Sequence, residues 1–222
     1  MKKFMLIIAA LVSLSLASCG GKNSEQGDAI GLKSSTYYTY PGQTINPTLW
    51  NTTANAAVGG GVTWKQATEN HLGTLDEDAA TGVGTFICTG FGGRATYETI
   101  SAIYNSVTYS ARVYSSLVAS CNGDDGVITD NSSKPAATLL IGSSNVISIK
   151  YMYGENDGEN KGIPSSAVSG LSTSATDMKV EFDSGDEATI IATVDDSATA
   201  SVQKISFSIN GCDVAFYVNI TK

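Results

Sequence analysis

Few side chains in this chain of 222 residues are suited to acid–base or covalent catalysis. Its single histidine, His71, lies in a polar stretch beside Glu69 and Asn70, and no cysteine stands at zinc-ligand spacing from it. The sequence contains no Gly-x-Ser-x-Gly nucleophile elbow, no Walker loop and no dinucleotide fingerprint. We therefore predict a protein with no enzymatic activity, no cofactor and no metal site.

Three cysteines in the body of the chain are candidates for disulfide bonds in an oxidising compartment. Cys88 alternates in phase with Phe86, which predicts a buried thiol that packs as a small hydrophobic side chain. Cys121 and Cys212 fall in the same half of the chain, and a bridge between them would close a loop of about 90 residues. The sequence leaves two alternatives open: a Cys121–Cys212 disulfide, or three free thiols.

Acidic residues cluster where loops are predicted, and carboxylate oxygens are the ligands that Ca²⁺ prefers. The clusters are Asp124-Asp125, Glu155-Asn156-Asp157-Gly158-Glu159, Asp183 with Asp186-Glu187, and Asp195-Asp196. None has the spacing of an EF-hand loop, and charge at such positions also keeps β-sheet edges from pairing with neighbours. We interpret the clusters as solvated loops.

Aromatic side chains are the remaining candidates for ligand contact. Trp64 alternates with Val62, and Tyr151 and Tyr153 continue the apolar face of Ile149, so these three aromatic residues are predicted in the core. Four others lie outside a clear core phase and are the candidate exposed residues for ligand contact. They are Trp50, Tyr37, Tyr38 and Tyr40.

The N-terminus has the pattern of a secretory signal peptide. Lys2 and Lys3 precede an apolar run from Phe4 to Val12, which is shorter than the roughly 20 residues that a membrane-spanning helix needs. The run leads to Leu16-Ala17-Ser18-Cys19, which resembles the lipobox of bacterial lipoproteins. The resemblance implies removal of residues 1–18 and acylation of Cys19. The residues that follow are rich in Gly, Ser, Asn and charge with no apolar period, which predicts a flexible tether over residues 19–31.

The charge of the chain limits its partners. The formal net charge is −8, and removal of the two leader lysines leaves the mature chain at about −10. Without a basic patch we expect no nucleic-acid binding and no direct binding to anionic lipid headgroups. The predicted partners are the membrane, through the lipid anchor, and a glycan or a surface protein.

From Leu32 onward the composition and the alternation of apolar residues predict an all-β fold. The predicted strands are Gln43 to Leu49, Gly61 to Lys65, Val83 to Thr89, Ala95 to Tyr104, Val107 to Tyr114, Thr138 to Ile141, Val146 to Tyr153, Met178 to Phe182 and Ala188 to Val194. Turn residues recur between them at the spacing that is typical of a β-sandwich.

Two hairpins have registers that the sequence predicts. A turn at Asn105-Ser106 puts Ile100, Ala102 and Tyr104 opposite Ala111, Tyr109 and Val107. A turn at Asn210-Gly211 puts Ile205, Phe207 and Ile209 opposite Phe216, Val214 and Cys212. The second turn is the stronger signal because both of its residues tolerate positive φ.

Five motifs of the first half follow one another in a recognisable series. They are Pro41-Gly42-Gln43, Val62-Thr63-Trp64, Gly82-Val83, Gly92-Gly93-Arg94-Ala95-Thr96 and Tyr109-Ser110-Ala111. The series resembles the bacterial Ig-like domain of invasin- and intimin-type surface proteins over about residues 32–116, apart from a longer 68–80 connection. The resemblance implies an immunoglobulin-like sandwich with Trp64 in its core.

The second half has the sandwich pattern without those motifs, and it is more acidic. Residues 32–118 contain four basic and five acidic residues, whereas residues 119–222 contain six basic and fourteen acidic residues. We predict two immunoglobulin-like β-sandwich domains in tandem, 32–117 and 118–222.

The predicted function is that of a lipoprotein anchored in the cell envelope, in the outer membrane of a Gram-negative bacterium, that presents these domains for binding or adhesion. The alternative is a spacer or a subunit of a surface assembly.

Overall fold

The computed structural model describes residues 29–67, 70–154 and 159–222. The predicted leader, Cys19 and all but the last three residues of the tether lie outside these ranges. So do Glu69 and the acidic stretch 155–158.

The described residues form twenty β-strands and a single 3₁₀ turn, Ser165–Ala167, so the prediction of an all-β fold is confirmed. The first half contains β1 (Ile30–Leu32), β2 (Thr36–Tyr38), β3 (Thr44–Ile45), β4 (Leu49–Asn51), β5 (Ala56–Ala57), β6 (Thr63–Ala67), β7 (Gly73–Leu75), β8 (Phe86–Cys88), β9 (Tyr97–Tyr104) and β10 (Val107–Tyr114). The second half contains β11 (Leu117–Cys121), β12 (Asp124–Val127), β13 (Ala137–Leu140), β14 (Ser144–Met152), β15 (Asn160–Gly162), β16 (Val168–Thr173), β17 (Met178–Phe182), β18 (Thr189–Val194), β19 (Ser201–Ile209) and β20 (Cys212–Thr221).

The strand order of the second half is that of an immunoglobulin-like sandwich. One sheet has the order β12-β11-β14-β18-β17, in which β11, β14, β18 and β17 correspond to strands A, B, E and D. The other contains β16-β19-β20, which corresponds to C, F and G. Strand β13 extends the second sheet by pairing parallel to β20. The first half repeats this sheet as β6-β9-β10, with β2 parallel to β10.

Each half has its own hydrophobic cluster. The cluster of the first half includes buried residues from Leu49 to Val113, and that of the second half includes residues from Leu117 to Ile220. Trp64 is fully buried on β6, and its Nε1 donates a hydrogen bond of 2.8 Å to the carbonyl oxygen of Thr81. The prediction that Trp64 belongs to the core is confirmed. The division into two domains stays a prediction, but the clusters separate at the predicted boundary.

Both predicted hairpin registers are confirmed. Ile100 pairs with Ala111 across β9 and β10, and Phe207 pairs with Val214 across β19 and β20. In the second turn Asn210 and Gly211 have φ values of 48° and 82°, the left-handed conformation that a two-residue hairpin requires.

Two predicted strands are shorter than expected. The prediction Gln43 to Leu49 was wrong in its middle, because Asn46, Pro47 and Thr48 separate β3 from β4. Proline has no N–H group to donate to a sheet. The stretch Val83 to Thr89 contributes only β8, which pairs with β7. Strand β7 lies within the 68–80 connection, so that connection adds a strand to the sandwich.

Candidate functional site at the junction of the two halves

The two halves meet at a turn of the first half and a hairpin of the second. The side-chain amide of Asn210 donates a hydrogen bond of 2.8 Å to the carbonyl oxygen of Pro41. Next to it, a Cβ atom added to Gly42 would overlap the side chain of Asn210. Gly42 has a φ of 86°, so both its backbone conformation and its contact require a residue without a side chain.

A second contact joins the connection between the halves to the loop after β8. Ser115 and Ser116 are buried, and their hydroxyl groups each donate a hydrogen bond of 2.8 Å, to the carbonyl oxygens of Gly90 and Gly93 respectively. The same loop brings Phe91 against the hydrophobic cluster of the second half. These bonds satisfy the buried hydroxyl groups and hold the loop against both halves.

Six tyrosines from both halves form a continuous row of ring contacts across this junction, which we call the tyrosine row. In order they are Tyr97, Tyr114, Tyr38, Tyr153, Tyr151 and Tyr40, with successive centroid distances of 5.4, 5.6, 5.8, 6.3 and 5.1 Å. Tyr38 and Tyr114 are stacked, and the other pairs are tilted or edge-on. Pairs of this geometry add to the energy of burial.

Two shallow grooves contain members of the tyrosine row. A groove of about 410 Å³ lies beside Tyr97, whose ring is covered by the guanidinium of Arg112 at 4.6 Å, and is also lined by Ser35, Thr99 and Ser110. The other, of about 340 Å³, is lined by Tyr153, Glu159, Asn160 and Lys161. The Nζ of Lys161 lies 3.1 Å from the centroid of the Tyr153 ring. Each groove combines an aromatic ring with a cation and with hydrogen-bonding groups.

The structure places the four predicted aromatic residues at three different sites. Trp50 lies on β4 with the ammonium of Lys33 3.6 Å above its ring. Tyr37 packs against the cluster of the first half, and burial raises the pKa of its hydroxyl. Tyr38 and Tyr40 pack against the cluster of the second half as members of the tyrosine row. All four are half-buried, so the expected exposed platform is not formed by these residues alone. Their contact with a ligand stays a prediction.

Tyr153 was assigned to the wrong environment. The alternation of β14 predicted it in the core, where Tyr151 is indeed buried, but Tyr153 is 40% exposed. The strand ends at Met152, so the alternation no longer applies to the next residue. Tyr97 and Tyr114 were missed, although the predicted hairpin register pairs them directly.

The three described cysteines are free thiols. Cys88 is 1% exposed, which confirms the prediction of a buried thiol. The candidate disulfide between Cys121 and Cys212 is not formed, because Cys121 lies against Thr138, and Thr138 pairs with Asn219 near the end of β20. Cys212 begins that strand, and at about 3.3 Å per residue its Cα lies roughly 23 Å from that of Asn219, close to which Cys121 is found. A disulfide needs Cα atoms within about 7 Å of each other.

The histidine and the acidic clusters are the other candidates for chemistry. His71 is exposed and has a φ of 53°. Within residues 29–67, 70–154 and 159–222, no three His, Cys, Asp or Glu side chains come together as a metal site requires. The same residues include no helix that is long and apolar enough to span a membrane.

No protein-family model matches the sequence, and no curated protein matches it. Among solved structures, the chain is similar to domains 5–6 of the S-layer protein SbsC, with 12% identity and a TM-score of 0.32 over 88% of this chain and 97% of that one. It is also similar to the Yersinia pseudotuberculosis adhesin InvE, with 14% identity and a TM-score of 0.26 over 90% of this chain and 62% of that one. A third similar structure is the titin Ig tandem A164–A165, with 13% identity and a TM-score of 0.26 over 89% of this chain and 99% of that one. These values are low, so the fold is assigned from the strand order of this chain.

Proposed function

We propose that this protein is a lipoprotein of the bacterial cell envelope that is anchored through Cys19 and presents its two immunoglobulin-like halves for binding or adhesion. The ligand class that the tyrosine row favours is a glycan, and a surface protein is the other class that suits the fold. The outer membrane of a Gram-negative bacterium is the proposed location. The protein binds its ligand without transforming it.

The anchor is supported by the leader and by Leu16-Ala17-Ser18-Cys19. More than one acyl chain makes attachment effectively permanent, because each buried methylene contributes about 0.8 kcal/mol. Cys19→Ser should release the protein from the membrane fraction or stall its processing. The same fractionation and the same mature mass in the variant would rule out lipidation.

Binding is supported by one observation, the exposure of Tyr153 within the tyrosine row. Tyr153 presents 40% of its surface, next to Lys161, Glu159 and Asn160. An aromatic ring offers an apolar face to a sugar, and the flanking ammonium, carboxylate and amide groups match its hydroxyl groups as hydrogen-bond partners. This combination is typical of ligand sites, in which an apolar surface is joined by a few polar groups that set orientation.

The binding test uses variants at Tyr153 and at Lys161 beside it. We expect Tyr153→Ala and Lys161→Ala each to weaken binding to a panel of soluble neutral and uronic-acid polysaccharides at least about tenfold, as at binding hot spots. Tyr217→Ala is the matched control, because Tyr217 also lies beside a lysine, Lys204 at 5.6 Å, but on β20. Binding that is equally strong in all three variants would contradict a site at Tyr153.

A spacer is the second candidate, and the ring contacts themselves favour it. Tyr38 contacts Tyr153 at 5.8 Å, and Tyr40 contacts Tyr151 at 5.1 Å, so these rings of the tyrosine row join the halves. A spacer predicts that Tyr40→Ala lowers the melting temperature and that no polysaccharide or envelope protein binds the wild type. A saturable ligand whose affinity depends on Tyr153 would exclude a role as a spacer alone.

A further inference from the structure

Cys88 lies at the end of the first half that meets the second. It ends β8, and its Sγ lies 3.3 Å from the Oγ of Ser115 and 3.2 Å from the carbonyl oxygen of Gly90. Ser115 belongs to the two-residue connection between β10 and β11. The thiol of Cys88 therefore points toward the junction.

Cys212 lies at the corresponding end of the second half. It begins β20 directly after the Asn210-Gly211 turn and pairs with Ile209. Alternate residues of a strand share a face, so its side chain is on the same side as the buried Val214. Cys212 itself is only half-buried, because the core of the second half ends at this hairpin.

Backbone contacts connect the two cysteines across the junction. The amide of Gly42 donates a hydrogen bond of 2.8 Å to the carbonyl oxygen of Cys88, and the amide of Cys88 donates one of 3.0 Å to the carbonyl oxygen of Gln43. Gly42 in turn packs against Asn210, two residues before Cys212. Burial raises the pKa of Cys88, and the nearby thiol of Cys212 adds to that rise.

We propose that Cys88 and Cys212 form a disulfide bond that joins the two halves once the protein is in an oxidising compartment. The proposal uses the secretory leader but does not depend on the ligand. Exported proteins meet conditions in which disulfides form and persist. The bond would link residues on opposite sides of the junction, whereas the Cys121–Cys212 bridge would have linked the two ends of one half.

The reaction is a thiol–disulfide exchange with a disulfide oxidant, either oxidised glutathione or an oxidoreductase of the compartment. The thiolate of Cys212, the more exposed of the two, attacks one sulfur of the oxidant and releases the other as a thiolate. Cys88 then loses its proton and attacks the Sγ of Cys212, which expels the second thiolate of the oxidant. The two cysteines lose two protons and two electrons, and the oxidant becomes two thiols.

Peptide mapping tests the bond, because trypsin separates the three cysteines into three peptides. Cleavage after lysine and arginine gives 66–94 with Cys88, 113–150 with Cys121 and 205–222 with Cys212, since Lys134 precedes proline. The full chain is extracted from membranes without reductant, its free thiols are alkylated, and it is digested. We expect 66–94 linked to 205–222, with 113–150 alkylated.

A second measurement follows the fully reduced chain in a buffer of oxidised and reduced glutathione. The same cross-link should appear there. The proposal is overturned if 66–94 and 205–222 are both alkylated after oxidation, or if 113–150 is linked to either of them.

Variants separate the bond from other effects of reductant. A disulfide that closes a loop of more than 100 residues should raise the melting temperature by about 10 °C, so dithiothreitol should lower it by that amount. Cys212→Ser should be insensitive to dithiothreitol, and its half-buried site tolerates the hydroxyl group. Cys121→Ser is the matched control and should respond as the wild type does. An equal response in all three proteins contradicts the proposal.

Discussion

The side-chain amide of Asn210 and the carbonyl oxygen of Pro41 are joined by a hydrogen bond of 2.8 Å, although the two residues are 169 positions apart in the chain. The bond connects the tip of the last hairpin to the turn that follows the first strands. Gly42, which admits Asn210, and Tyr40 of the tyrosine row flank Pro41 in the chain, and Cys212 follows Asn210 by two residues. This hairpin is therefore one of the places where the halves are joined, together with the ring contacts of Tyr151 and Tyr153.

Replacing Asn210 should weaken this junction. We expect Asn210→Ala to lower the free energy of unfolding by about 1 kcal/mol more than Asn105→Ala does, because only Asn210 donates to a carbonyl group of the other half. Asn105 is a matched control, since both asparagines have a φ of 48° as the first residue of a two-residue hairpin turn. Urea unfolding of both variants measures the difference. Equal losses would show that the bond to Pro41 contributes nothing.

A methyl group added at Gly42 should lower the stability of the protein more than a methyl group added at Gly123. Gly42 and Gly123 have φ values of 86° and 89°, so alanine is strained by about 1–2 kcal/mol at either position. Only at Gly42 would the methyl group overlap the side chain of Asn210, and we expect a further loss of about 1–3 kcal/mol there. Thermal melts of Gly42→Ala and Gly123→Ala test this. Identical melting temperatures would contradict the contact.

The two tryptophans should differ sharply in their contribution to stability. Trp64 is fully buried, and its Nε1 is hydrogen-bonded to Thr81, so Trp64→Ala should cost about 3–5 kcal/mol. Trp50 is half-buried beneath Lys33, and we expect Trp50→Ala to cost roughly 1–2 kcal/mol. Denaturant titration of both variants gives the comparison. A larger loss at Trp50 would place the main core of the first half elsewhere.

Stability of the reduced protein should fall in alkaline solution. Burial raises the pKa of Cys88 above its ordinary value of 9.0, and that of Tyr37 above 10.0. Above those ordinary values the unfolded chain has lost protons that the folded chain retains, so raising the pH favours unfolding. The contribution of the Cys88 thiol to the free energy of unfolding is fully present below about pH 8 and declines above about pH 9.

Melting temperatures of the reduced protein at about pH 7, 8, 9 and 10 measure this decline. Cys88→Ala should show a smaller drop across the same range, because it has no thiol to titrate at that position. A drop of the same size in both proteins would assign the effect to other groups.

Features that depend on neighbouring residues could be predicted from the sequence. The pairing of Ile100 with Ala111 and of Phe207 with Val214 follows from side-chain alternation and from turn residues that tolerate positive φ. The burial of Trp64 follows from the same alternation. These interactions act within a strand or between strands joined by a short turn, where the spacing of residues determines the geometry.

The contacts between the halves could not be predicted in this way. Tyr40 meets Tyr151, and Asn210 meets Pro41, because of how the two halves pack against each other, and alternation within a strand carries no information about that packing. Their place in the same half suggested Cys121 as a partner for Cys212, but the assembled strands separate those two. They also bring Asn210, two residues before Cys212, against Gly42, whose amide bonds to Cys88. The sequence by itself determined the all-β fold, the two hairpin registers and the burial of Trp64, which local periodicity controls. The tertiary structure decided the junction, because its contacts arise only when residues far apart in the chain are packed together.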